Sequence, residues 1–131
     1  MKKILLLINL LSISQLNFSQ NALHFDGTND YVQTTFTGVM GSNARTFEAW
    51  IYLDAAPTAN KCIMDYGRNA AYSRNTFAVN ANRSLAYLSG GNNITSNTNV
   101  VPVGVWTHVA FVLNSGTGYF YVNGIQVGSG S

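Results

Sequence analysis

The chain has 131 residues, with seven Lys and Arg against five Asp and Glu for a formal charge of +2. Lys2 and Lys3 sit at the extreme N-terminus, and beyond residue 20 Arg45, Lys61, Arg68, Arg74 and Arg83 cancel Asp26, Asp30, Glu48, Asp54 and Asp65. That balance excludes an electrostatic footprint for nucleic acid or an anionic membrane, and the roughly 110 residues after the N-terminal segment suffice for one core, not two.

Met1-Lys2-Lys3 followed by the apolar run Ile4 to Leu11 has the charged start and short hydrophobic stretch of a secretory signal peptide. The run is too short to span a bilayer, and no Cys follows it to carry a lipid. Residues 1–20 are therefore predicted to be a leader, cleaved after Ser14 or Ser19, that sends the rest to the exterior or the cell surface with no membrane insertion afterwards. Residues 21–131 form the predicted domain. Its Asn, Ser, Thr and Gly, its few charges and its short alternating apolar runs predict an all-β fold, an antiparallel sandwich of two sheets. Cys62 is the one cysteine, so no internal disulfide is available and stability must come from packing.

Ala22 to Thr34 reads as strand, turn, strand: Ala22 to Phe25, the cluster Asp26-Gly27-Thr28-Asn29-Asp30, then Tyr31 to Thr34. Asp26, Asn29 and Asp30 offer hard oxygen ligands of the kind calcium accepts, and the same residues suit an ordinary turn in which Asp and Asn cap their own backbone. The next strand, Thr46 to Leu53, puts Phe47, Ala49, Ile51 and Leu53 on a core face and Thr46, Glu48, Trp50 and Tyr52 on the other. Trp50 and Tyr52 beside Glu48 have the composition of a carbohydrate platform, in which rings stack on sugar faces and the carboxylate meets hydroxyls. The plain alternative is that a loop covers Trp50. In the predicted strand Lys61 to Asp65, Cys62 shares a face with Met64, which predicts a buried thiol. Asn75 to Asn80 and Ser84 to Leu88 are further strands, and Gly90 to Asn99 is a polar loop. His24 and His108 lie singly inside strand patterns and are read as structural.

Trp106 to Val127 is the richest stretch. Trp106 to Leu113 is a strand, Asn114 to Gly118 a turn, and Tyr119 to Val122 a second strand with its two tyrosines on one face and Phe120 and Val122 on the other. Asn123-Gly124 is the preferred type I′ corner, which brings Ile125 to Val127 back as a third strand.

The sequence W-x-H-V-A at Trp106 to Ala110, an apolar run, a Gly-rich turn and Y-V-N-G at Tyr121 to Gly124 resemble the signature hairpin of laminin G-like domains. ALHFDGTNDYV at Ala22 to Val32 and TFEAWIYL at Thr46 to Leu53 fit the same pattern in the same order. The resemblance implies a jelly roll of the concanavalin A-like lectin/glucanase type, strengthens the calcium reading of the Asp26 to Asp30 loop, and implies a module that binds carbohydrate or an extracellular protein ligand. It also implies further strands after Y-V-N-G, so a chain ending at Ser131 is expected to be a fragment, and an adhesive or structural module of a larger surface protein is the rival reading. Glycoside hydrolases and lyases share this fold, but their E-x-D-x-x-E arrangement is missing and Glu48 has no acid at 46, 50 or 52. A non-catalytic role is the expectation.

Overall fold

A computed structural model describes residues 21–131. The leader predicted in residues 1–20 lies outside the described residues. The chain divides into two units between Tyr31 and Val32, and the second holds every strand found among the described residues. In chain order these are β1 (Arg45–Ile51), β2 (Lys61–Gly67), β3 (Arg74–Val79), β4 (Leu85–Leu88), β5 (Ile94–Thr95), β6 (Thr107–Asn114), β7 (Thr117–Val122) and β8 (Ile125–Gly130). They make two antiparallel four-stranded sheets, sheet I in the order β1-β6-β7-β8 and sheet II in the order β2-β3-β4-β5. No helix occurs among the described residues. The predicted all-β sandwich is the observed fold.

Alternation decides which side chains meet between the sheets. Phe47, Val109, Phe111, Leu113, Phe120 and Val122 point inward from sheet I to meet Phe77, Val79, Leu85 and Tyr87 of sheet II, with Ala49, Ile51 and Leu53 packed against them. Phe111 is the junction: its ring stacks on Tyr87 at 4.3 Å and 13° and lies 5.0 Å from Phe120. Burying side chains of this size contributes about 1.5–3 kcal/mol each, which is where a domain without a disulfide finds its stability. Gly118 is required by the same packing, because a Cβ there would stand 2.5 Å from the Phe111 ring.

One polar seam enters this core. Arg45 is buried, and its guanidinium donates to the carbonyls of Asn43 (3.0 Å), Val39 (2.5 Å) and Gly41 and to Asn75 Oδ1. The Tyr87 hydroxyl donates to the same Asn75 oxygen at 2.6 Å. A buried cation is costly unless its donors are satisfied, and here carbonyl oxygens rather than a carboxylate satisfy them. Burial pushes the Tyr87 phenol above its ordinary pKa, with Arg45 opposing and Tyr66 adding to the rise.

Four expectations are corrected. Ala22 to Phe25 and Tyr31 to Thr34 are not strands, and Leu23 and Tyr31 are exposed. Alternation makes a segment compatible with a sheet, but only interstrand hydrogen bonds make a strand, and none of the ladders includes these residues. The turn at Asn114 to Gly118 is tighter than predicted: Ser115 and Gly116 alone form it, both at positive φ (48° and 82°), so Thr117 and Gly118 join β7. The loop Gly90 to Asn99 contains the short β5. Finally, a bulge at Ile63 sets Cys62 opposite Ala78 and Met64 opposite Phe77, on opposite faces of the sheet, and the thiol is exposed.

Candidate functional site

Glu48, Trp50 and Tyr52 do share one face, the solvent side of sheet I at its β1 edge. Their neighbours are set by register: Trp50 lies opposite His108, and Glu48 opposite Ala110, which in turn faces Tyr121. Cross-strand partners on one face stand about 5 Å apart, close enough for rings to touch. Trp50 and His108 have centroids 5.4 Å apart, and just beyond the ladder Tyr52 and Trp106 have centroids 5.7 Å apart. Trp50, Tyr52 and Trp106 are 65, 44 and 50% exposed, so no loop covers Trp50. Tyr119 and Tyr121, half-buried on β7, continue the face across the sheet.

Two polar groups punctuate this aromatic surface. Glu48 Oε2 lies 3.8 Å from His108 Nε2, a pair exposed enough to contribute little to stability and left open to hydroxyl groups from solution. The turn Asn123-Gly124, at positive φ in both residues (49° and 79°), holds the end of β6, where the His108 amide donates to Asn123 Oδ1 at 3.0 Å. Sequence reading found the β1 half of the face and missed Trp106, His108 and the two tyrosines as its members. The signal was present in W-x-H, whose same-parity residues point one way, but which strand they would lie beside is a property of the ladder.

The residues predicted to hold calcium form a loop closed on itself. The Thr28 amide donates to Asp26 Oδ1 at 2.7 Å, an Asx turn, and the Asp26 amide donates to Asp30 Oδ2 at 2.9 Å. Two carboxylates and the Asn29 amide fall short of the six to eight oxygens calcium takes, and no cluster of three metal-ligating side chains occurs among the described residues.

Elsewhere, a polar cavity of about 240 Å³ is lined by Asp65, Tyr66, Arg68 and Arg74, and a second of about 320 Å³ by Tyr72, Asn75, Tyr87 and Leu113 among others. Neither includes a sequence-predicted site residue. Asp65 accepts from the Thr76 hydroxyl at 2.5 Å and lies 3.8 Å from Arg74 Nε, so its carboxylate is committed to the sheet. Cys62, nearby on β2, is exposed as a residue, and its thiol pKa is raised first by the desolvation that partial burial brings and then by Asp65.

The described residues thus form an antiparallel two-sheet sandwich that displays an aromatic face. A laminin G family model, described as the concanavalin A-like lectin/glucanases superfamily, matches residues 26–131. The chain belongs to that family, whose laminin G-like members are typically extracellular binding domains. No curated protein and no solved structure matches it.

Proposed function

We propose that this is an exported, non-catalytic module that binds carbohydrate on the solvent face of sheet I, with Trp50, Tyr52, Trp106 and His108 stacking on sugar faces and Glu48 accepting from hydroxyls. The observation that carries the reading is the exposure of three large aromatic side chains, Trp50 in the β1–β6 ladder and Tyr52 and Trp106 just beyond its end, 65% for Trp50. Aromatic rings left in water gain most from a partner that is itself part apolar and part hydroxylated. Export rests on the leader predicted in residues 1–20. The absence of catalysis rests on the register: a retaining hydrolase needs a second carboxyl about 5 Å from the first, and the same-face neighbours of Glu48 are Thr46, Trp50 and Ala110.

Trp50→Ala tests the reading. Glycan affinity is expected to fall about tenfold or more while the change in unfolding free energy stays near 0.5 kcal/mol, as for an exposed substitution. Unchanged affinity in a folded variant would remove the platform from the function.

A further inference from the structure

We infer that the glycan bound on this face is an uncharged one, carrying neither carboxylate nor sulfate; the inference rests on the carbohydrate reading above and narrows it. Charge is distributed unevenly over the sandwich. Along the solvent side of sheet I run Thr46, Glu48 and Trp50 of β1, then His108, Ala110, Val112 and Asn114 of β6, Thr117, Tyr119 and Tyr121 of β7, and Gln126 and Ser129 of β8. Glu48 is the one side chain of that face with a formal charge at neutral pH, and it is negative. Among the described residues every Lys and Arg lies elsewhere: Lys61 and Gly67-adjacent Arg68 on or after β2, Arg74 on β3, Arg83 in the β3–β4 turn, and Arg45 buried on the inner face of β1 with its donors taken by carbonyls.

The centre of the face is shaped for hydroxyls rather than for anions. Ala110 is buried between Glu48 on one side and Tyr121 on the other, two strand spacings that together span about 10 Å, wider than a single sugar ring. The small Ala110 side chain makes this the low point of the platform. A sugar lying across it has the Tyr121 ring at one hand and at the other the acceptor-only carboxylate of Glu48, which accepts hydrogen bonds from hydroxyls. A uronate or sulfate in the same place meets Glu48 with no guanidinium or ammonium to compensate, whereas recognition of such anions uses the forked donors of Arg or the point charge of Lys. Like charges brought together at a binding surface act as a filter against the wrong partner.

The test is an array of neutral and acidic oligosaccharides probed with the folded domain, with titration calorimetry of the hits at low and high salt. Neutral oligosaccharides are expected to bind, with affinity indifferent to salt, and uronate or sulfated chains of equal length to bind about tenfold more weakly or not at all. Glu48→Lys is expected to bring acidic chains up to the level of neutral ones, and acidic chains left as weak as before in that folded variant would overturn the inference. Preferred binding of acidic chains, lost as salt screens it, would overturn the inference and leave the carbohydrate reading standing. Silence across the array from a protein with a cooperative melt would overturn both.

Discussion

The two sheets share one core and present opposite outer faces. On sheet I the outward positions carry Trp50, His108, Tyr119 and Tyr121, the first exposed and the other three half-buried. On sheet II the equivalent positions of β3 and β4 carry Thr76, Ala78 and Ala86, each almost completely buried although none belongs to the core cluster. Inward faces are alike because both must fill the same space. Outward faces need not be alike, and here they differ: sheet I displays Trp50 to solvent, whereas these positions of sheet II are covered.

The first way to break the comparison is to remove what the sheets have in common. Phe111→Ala takes away the ring that stacks on Tyr87 of sheet II and touches Phe120 of sheet I, and is expected to cost about 3–5 kcal/mol, enough to abolish a cooperative urea transition in a domain of this size. Loss of less than half of that would mean the two sheets do not depend on one shared core.

Substitutions on the two outer faces should separate them. Ala86→Leu on sheet II puts three extra carbons where the present side chain has 0% exposure, and is expected to destabilise by about 1–3 kcal/mol. Equal tolerance of Ala86→Leu and Trp50→Ala, measured by thermal unfolding, would erase the distinction between a covered and a displaying face.

A smaller effect distinguishes the core from the outer face of sheet I by pH. The Tyr87 phenol has its folded pKa raised, so its contribution to stability is complete below the ordinary tyrosine value of about 10 and declines as pH climbs through the higher folded value. Tyr87→Phe should therefore flatten the loss of stability above about pH 10 while Tyr121→Phe, on the displaying face, leaves it in place. Melting temperatures across that alkaline range give the answer.

The least expected change concerns calcium. A cation bound only by the folded protein raises the midpoint by mass action, but Asp26 and Asp30 are already tied to amides of their own loop. Calcium against chelator is expected to move the melt by less than about 1 °C on this reasoning. A rise of several degrees, lost in Asp30→Asn, would make the loop a metal site with ligands beyond the three named here.

How legible the molecule was depends on the segment. The meander from Thr107 to Gly130 could be read because its information is local: alternation fixes the faces and Asn123-Gly124 fixes the corner, so Phe120 and Val122 share one face, apart from the two tyrosines, as predicted. Ala22 to Thr34 has a comparable pattern and formed no ladder, since a strand depends on a partner that its own residues do not name. The face of Cys62 was lost for a related reason. One bulged residue, Ile63, reverses the parity of everything after it, and nothing in KCIMD announces the bulge.

The candidate site divides in the same way. That Glu48 and Trp50 point away from Phe47 and Ala49 was determined by the sequence alone, because side chains of a strand alternate whatever the strand lies beside. That Trp50 meets His108, that Tyr52 meets Trp106, and that Ala110 lies between Glu48 and Tyr121 was decided only by the tertiary structure. More than fifty residues of chain, with all of sheet II among them, separate β1 from β6, and it is the hydrogen-bond register closing that gap that turns single aromatics into one surface.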